Sequence, residues 1–221
     1  MTISERIQAI QSSLPPHVTL VAVSKTQPLA AVREAYDAGQ RIFGENRIQE
    51  MTEKWEALPK DIEWHMIGHV QSNKVKYMIP YVKLIHGVDS LKLLLEIERL
   101  ARKWRRTVDV LLQVHIAEED TKFGLSDAEL KEVFASADYS SLTHTNVRGL
   151  MGMATFTDDT TQVRREFQHL KTLFDQTKQG LGKADFDILS MGMSGDYTEA
   201  VATGSTMVRI GSSIFGERSK P

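Results

Sequence analysis

The sequence predicts a single α/β domain folded as a (β/α)8 barrel, also called a TIM barrel, and three observations predict it. Short apolar runs rich in β-branched residues recur along the chain, each followed by turn residues and then by a helical pattern. The order strand, helix, strand, helix requires parallel pairing of the strands. The units repeat without a break and no early GxGxxG fingerprint occurs, which favours a closed barrel over an open doubly wound sheet.

Eight runs qualify as strands of this barrel. They are VTLVAVSK from residue 18, RIFGEN from 41, IEWHMIG from 62, KLIHGVD from 83, VDVLLQVHI from 108, NVRGLMGMA from 146, FDILSMGM from 186 and TMVRIGSSIFG from 206. The early runs start about 20 to 25 residues apart, which is close to the minimum for a βα unit. This spacing leaves no room for a second domain, so we assign residues 1–221 to one domain.

Helices are predicted between the strands by apolar residues at spacings of three and four. The clearest cover residues 28–39, 90–106 and 158–180, and two of these stretches end in glycine, a residue that often terminates helices. An additional helix, ISERIQAIQSSL, precedes the first strand. We expect it to cover either the bottom or the side of the barrel.

Composition and charge narrow the functional classes. The chain has 41% hydrophobic and 25% charged residues and a formal net charge of -2, so nothing indicates nucleic acid or an anionic membrane as its main partner. It contains no cysteine, which excludes disulfides and thiolate metal sites. It shows no signal-peptide pattern and no apolar stretch long enough to span a membrane, so we expect a cytoplasmic protein.

The chemistry of a (β/α)8 barrel lies at the carboxyl ends of its strands. The polar residues found there are Ser24, Lys25, Glu45, Asn46, His65, His86, Asp89, His115, Ser190, Ser194, Arg209, Ser212 and Ser213. Lys25 ends an otherwise apolar strand, where desolvation would lower the pKa of its amine and favour Schiff-base chemistry. A lysine that reaches solvent from a strand end is the alternative.

The segments after the last two strands are rich in glycine and serine. In MGMSGDYTEAV, Ser194 could cap the next helix, with Asp196 and Glu199 in a capping-box arrangement, while Gly192 and Gly195 would let backbone N–H groups approach a ligand.

The segment RIGSSIFG places Gly211, Ser212 and Ser213 in a second small-residue turn. Barrels often bind phosphate between these two loops, although plain helix caps would produce the same pattern.

A reactive lysine facing a phosphate site suggests a phosphorylated carbonyl compound. Either a sugar phosphate, as in class I aldolases, or pyridoxal 5'-phosphate (PLP) would qualify. Aldolase-type barrels usually carry their lysine on a later strand, whereas Lys25 follows the first. Arg209, two residues before the glycine of the second turn, could face a pyridine nitrogen, and this favours PLP.

Six motifs distributed along the chain carry a family resemblance. They are AVSKTQP, FGENRIQE, EWHMIGHVQSNK, TKFGL, RGLMGMA and LSMGMSGDYTEAVATGSTMVRIGSSIFG. Together they resemble the pyridoxal phosphate homeostasis protein family, which has the type III PLP fold of the alanine racemase barrel. Two departures are Val70, where leucine is common, and Phe123, which separates Lys122 from Gly124; neither falls on an expected cofactor ligand.

The resemblance implies a cofactor site. PLP would be bound covalently, as a Schiff base on Lys25, with Arg209 facing its ring nitrogen. The other cofactor-binding residues implied are Gly211 and Ser212 at the phosphate, Ser190, Gly192 and Ser194 completing the phosphate cup, and Asn46 and His65 near the ring. Which of the two serines in SMGMS points inward stays open.

Whether the chain is an enzyme stays open at this point. An arginine at the pyridine nitrogen disfavours protonation of the ring and weakens it as an electron sink. Racemisation also requires an acid or base opposite Lys25, and we assign no catalytic residue and no metal site. His65, His86 and His115 are the candidates for such a group, and each could equally be a structural histidine.

Three functions therefore compete. The first, which we favour, is a PLP-binding protein without a dedicated reaction that contributes to intracellular vitamin B6 and to the balance of amino and keto acids. The second is a racemase-like PLP enzyme acting on a small amino acid. The third is a regulatory barrel with a protein partner. The family's single-domain form suggests a monomer, and PLP-dependent apoenzymes or a regulatory protein are its expected partners.

Overall fold

The computed structural model describes residues 1–119 and 123–216, so Thr121 and Lys122 of the TKFGL motif lie outside the described residues. Eight parallel strands form a closed barrel in chain order, and the last strand pairs back with the first. The strands are β1 (Thr19–Val23), β2 (Ile42–Glu45), β3 (Glu63–Met66), β4 (Leu84–Val88), β5 (Val108–Gln113), β6 (Thr145–Met151), β7 (Ile188–Ser190) and β8 (Met207–Ile210). The predicted barrel and all eight strands are confirmed.

Helices connect the strands on the outside of the barrel. They are α1 (Ile3–Ser13), α2 (Leu29–Asp37), α3 (Ile48–Ala57), α4 (Val75–Met78), α5 (Leu91–Lys103), α6 (Asp127–Ala135), α7 (Ala137–Ser140), α8 (Thr160–Leu181), α9 (Tyr197–Ala202) and α10 (Ser212–Phe215), with a 3-10 turn at Ser72–Lys74. No helix in the described part of the chain is long and apolar enough to cross a membrane.

The N-terminal helix α1 covers the side of the barrel. Thr2 and Glu5 form a capping box at its start, and its side chains Ile7 and Ile10 are buried. It packs beside α2 and α10, and Arg6 donates a hydrogen bond to the carbonyl of Ile214 in α10 at 3.0 Å. Because α10 has a single turn, α1 covers the wall that a longer final helix would cover.

Side chains alternate between two apolar regions. The larger fills the space between the barrel and its helices and includes Phe43, Trp64 and Phe167. The smaller lies inside the barrel and includes Val21, Leu84, Leu111, Met151 and Met207. Two residues further along β4, β5 and β8, the inward positions are His86, Gln113 and Arg209, so polar side chains lie above part of this apolar floor.

Candidate functional site

A cavity of about 560 Å³ opens at the carboxyl ends of the strands, a size typical of small-molecule sites. Six of the nine predicted cofactor-binding residues line it: Lys25, Asn46, Ser194, Arg209, Gly211 and Ser212. They come from the first, second, seventh and last strands and the loops that follow them. Closure of the barrel brings these distant parts of the chain to one wall.

Lys25 follows β1 directly and lies on the cavity wall with Val23, Asn46 and Ile67. Its position follows from strand alternation: Val21 and Val23 point into the barrel, so the residue two further on points the same way. Lys25 therefore lies at the mouth of the barrel.

The loops after β7 and β8 meet on the same wall, where Gly211 packs against Val23, two residues before Lys25. Ser194, Gly195, Ser212 and Ser213 line the cavity there, and the hydroxyl oxygen of Ser194 accepts a hydrogen bond from the backbone N–H of Gly211 at 3.2 Å. This bond ties the two loops together. Hydroxyl groups and the first N–H groups of a helix such as α10 are suitable donors to an anionic group.

The predicted capping of α9 is wrong. Its N-cap residue Asp196 makes no capping bond from its side chain and instead accepts the N–H of Met193 at 2.6 Å. Ser194 is engaged with Gly211, and Glu199 pairs with Arg164. The loop is therefore stabilised by a turn of its own and by contacts to neighbouring elements.

Gly192 does not line the cavity. A glycine is needed at this position for a reason other than the predicted approach of backbone N–H groups to a ligand. Its φ is +97°, and a Cβ at this position would lie 2.6 Å from the Cβ of Ala200. The residue is therefore glycine because the backbone is left-handed and packs closely against α9. Its carbonyl accepts the backbone N–H of Arg209 at 2.9 Å, which aligns the end of β8.

Ser190 and His65 also lie away from the cavity wall, inside the barrel, where they belong to a hydrogen-bonded chain. Arg209 donates to the hydroxyl oxygen of Ser190 at 2.6 Å, Ser190 lies 3.0 Å from Nδ1 of His86, and Nε2 of His86 lies 3.1 Å from Nδ1 of His65. Arg209 also donates to the carbonyl of Gly152 at 3.1 Å. We call these four side chains, from Arg209 to His65, the inner chain.

The inner chain holds a single charge. Desolvation lowers the pKa of His65 to about 3, with the positive charge of Lys83 as a smaller cause, and lowers the pKa of His86 well below 6.5. Desolvation likewise lowers the pKa of Arg209 to about 10, partly offset by Asp196, so the guanidinium stays protonated at neutral pH.

Neutral histidines fix the direction of the bonds. Arg209 can only donate, so Ser190 turns its own proton toward Nδ1 of His86, and His86 carries its proton on Nε2 and donates it to Nδ1 of His65.

The third candidate histidine lies elsewhere. His115 contacts the carbonyl of Glu119 through Nε2 at 3.2 Å and does not line the cavity. His69 contacts Asp89 at 3.1 Å and stacks on Phe123. Thus none of the three candidate histidines of the sequence analysis lies on the wall opposite Lys25.

Sequence reasoning missed a second polar cluster behind Lys25. Ser24 and Glu45 point outward, and Lys54 of α3 joins them to Glu50: its Nζ lies 2.7 Å from the Ser24 carbonyl, from Oε1 of Glu45 and from Oε1 of Glu50. We call Ser24, Glu45, Glu50 and Lys54 the outer cluster. Glu50 and Lys54 are four residues apart, which from sequence is typical of an exposed helix pair.

The loop after β6 was also missed. Thr155, Phe156, Thr157 and Asp158 line the mouth of the cavity, and Phe156 is 93% exposed. The segment MATFTDD follows a strand end, and that position was the available signal.

Comparison with known proteins identifies the family. The model of the alanine racemase N-terminal domain matches residues 2–219. The pyridoxal phosphate homeostasis protein of Pasteurella multocida is 38% identical over 98% of this chain and 94% of its own length. That of Aquifex aeolicus is 42% identical over 90% and 86%. The chain belongs to the pyridoxal phosphate homeostasis protein family.

Solved structures of similar proteins agree with the fold. PipY of Synechococcus elongatus PCC7942, solved without PLP, is 38% identical and superposes with a TM-score of 0.92 over 97% of this chain and all of that one. The same protein with PLP bound superposes with a TM-score of 0.89. Alanine racemase of Enterococcus faecalis, at 17% identity and a TM-score of 0.76, shares the fold over 98% of this chain and 58% of its own.

Proposed function

We propose that this protein binds PLP in the cavity at the carboxyl end of its barrel, holds it as a Schiff base on Lys25 and contributes to intracellular PLP homeostasis and to amino- and keto-acid balance. The observation that carries the proposal is the cavity itself, which is lined by one lysine and by two hydroxyl-rich loops. The related PipY has been solved with PLP bound, which supports the same ligand here.

The residues of the cavity fit this cofactor. The amine of Lys25 can bond the aldehyde carbon, and the hydroxyls of Ser194, Ser212 and Ser213 suit the phosphate. Val23 and Ile67 supply apolar wall for the pyridine ring. We further propose that Asn46 contacts the ring substituents.

Arg209 is proposed to face the ring nitrogen. Its side chain lines the cavity and stays charged at neutral pH, so it can donate to an unprotonated nitrogen and keep it unprotonated. PLP, when bound, supplies an electron-withdrawing ring, and this contact limits that property. A holding role is more consistent with such a site than strong carbanion stabilisation.

The enzyme alternative requires a proton-transferring group opposite Lys25. Among the described residues that line the cavity, the ionisable side chains other than Lys25 and Arg209 are Asp158 and Asp196. Asp196 accepts the N–H of Met193, and Asp158 is exposed at the mouth. Deuterium incorporation at the α-carbon of amino acids, faster than with free PLP and lost in Lys25→Ala, would support a reaction.

The proposal extends to the compartment, oligomeric state and partners of the protein. The absence of cysteine suits a reducing compartment, and we propose a cytoplasmic, single-domain monomer. PLP-dependent apoenzymes or a regulatory protein are its proposed partners.

The visible spectrum of the purified protein tests the proposal. We expect a yellow protein, fixation of the cofactor to Lys25 by borohydride and loss of the visible band in Lys25→Ala. Lys92→Ala, an exposed lysine of α5, is the matched control and should keep the band. A wild-type protein that stays colourless with added PLP, or a tag on another lysine, would overturn the proposal.

A further inference from the structure

The outer cluster connects α3 to the turn that carries Lys25. Lys54 is 4% exposed, and each of the three hydrogens of its ammonium group has an acceptor 2.7 Å away. One of the acceptors is the carbonyl of Ser24, the residue before Lys25. The ammonium therefore binds directly to the backbone next to the proposed Schiff-base lysine.

The residue after Lys25 is held by the same cluster. The N–H of Thr26 donates to Oε1 of Glu50 at 2.6 Å, the oxygen that also contacts Lys54. Thr26 has a φ of +63°, a left-handed conformation that a β-branched residue rarely adopts. Such a strained residue persists only where its surroundings hold it, and here Glu50 holds it.

Glu45 adds an unfavourable feature to the cluster. Its Oε1 accepts the hydroxyl of Ser24 at 2.6 Å and the ammonium of Lys54, but its buried Oε2 has no hydrogen-bond partner. Burial raises the pKa of this carboxyl, although Lys54 and Ser24 oppose the effect. A buried oxygen without a partner reduces stability, so stability alone does not explain this arrangement.

We propose that Lys54 and Glu50 are positioning residues for Lys25: bonded to the backbone on both sides of it, they hold the strained turn that aims its amine at the cofactor aldehyde. The proposal rests on the proposed function. It assigns to α3, a helix outside the barrel, the placement of a group that acts inside it.

Glu50→Ala is the most informative variant, because it releases Thr26 while leaving the buried contacts of Lys54 to Ser24 and Glu45 intact. Glu50→Gln keeps an acceptor oxygen for Thr26 and should restore the turn. Glu53→Ala removes an exposed carboxylate of the same helix and is the matched control.

Two measurements on PLP-free protein test the turn itself. In Glu50→Ala the N–H of Thr26 should exchange with deuterium faster than in wild type, and the labelling of Lys25 by an amine-reactive reagent should change its pH midpoint. Glu50→Gln and Glu53→Ala should both resemble wild type. Unchanged exchange and labelling in Glu50→Ala would overturn the proposal without touching PLP binding.

The loaded protein provides the functional test. Schiff-base formation with added PLP should be about tenfold slower in Glu50→Ala, because misplacement of a reacting group by about 1 Å can cost up to about 100-fold. If wild type binds no PLP through Lys25, the proposed function fails. If wild type binds and Glu50→Ala reacts as fast as Glu53→Ala, only the positioning role fails.

Discussion

The inner chain and the outer cluster lie on opposite sides of the barrel wall and stabilise their buried charges in different ways. The inner chain holds one cation, Arg209, with neutral partners that pass hydrogen bonds in one direction. The outer cluster holds two carboxylates around one ammonium, that of Lys54. The inner chain is thus ordered by hydrogen bonds from one cation to neutral side chains, and the outer cluster by pairing of opposite charges.

The difference shows how a barrel can place two proposed cofactor contacts independently. A neutral chain leaves the charge of Arg209 available to a ligand, because no carboxylate bonds it in the inner chain. The ammonium of the outer cluster is instead paired with carboxylates of the same cluster, so its proposed effect on the site is limited to the position of the backbone around Lys25. The two sets share no residue, so each can be disrupted separately.

Breaking the outer cluster at its centre should have the largest effect. Lys54→Met leaves buried Glu45 and half-buried Glu50 without their cation, and we expect a loss of about 3–5 kcal/mol in the free energy of unfolding. Urea unfolding of PLP-free protein measures it. If Lys54→Met lost less free energy of unfolding than Arg209→Met, the distinction between the two sets would be wrong.

Replacing the cation of the inner chain should reduce the free energy of unfolding by a smaller amount. Arg209→Met leaves Ser190 and the carbonyl of Gly152 without a donor, and we expect a loss of about 1–3 kcal/mol. The visible spectrum of the PLP-loaded protein should also change, because the ring nitrogen loses its proposed partner. An unaltered spectrum would place Arg209 away from the ring.

The two sets should respond to pH with opposite sign. The pKa of His65 is about 3 in the folded protein and about 6.5 in an unfolded chain, so the unfolded chain binds more protons between these values. The free energy of unfolding should therefore fall as pH is lowered from about 6.5 to about 3, by up to about 1.4 kcal/mol per pH unit.

Variants separate this effect from general acid unfolding. His65→Gln should reduce the pH dependence between about 6.5 and 3 and leave the part that His86 contributes, whereas His17→Gln, at an exposed histidine, should not reduce it. The pKa of Glu45 is raised in the folded protein, so the stability that its protonated form contributes is lost as pH rises above 4.5. Glu45→Gln should therefore leave the loss of stability at low pH unchanged. Equal slopes in wild type and His65→Gln would mean that His65 is charged when folded.

The smallest effect is expected at the strained turn. Thr26→Gly removes the strain of a left-handed threonine, but glycine also increases the conformational entropy of the unfolded chain. The free energy of unfolding should therefore rise by less than about 1 kcal/mol. Arg105→Gly, at the other described non-glycine residue with positive φ (52°), is the control and should behave alike. A large loss in Thr26→Gly alone would show that its side chain matters more than its backbone.

Sequence reasoning recovered the barrel and most of the cavity because both depend on local patterns. The apolar run before Lys25 predicts a buried strand, and strand ends predict the mouth of the barrel. Ser190 lies beneath the cavity because the three-residue strand β7 ends on it: it is in register with Met207, and the longer side chain of Arg209 reaches back to its hydroxyl. Lys54 was missed because its partners lie on other elements, and sequence spacing shows only the pair with Glu50.

Closure of the barrel by β1 and β8 has a consequence for synthesis of the protein. Lys25 is synthesised about 184 residues before Arg209, and translation adds about 5–20 residues per second. A growing chain therefore exposes the lysine without the rest of its site. Complete capture of the ligand has to wait until the last strand docks on the first, so ligand loading reports a finished fold.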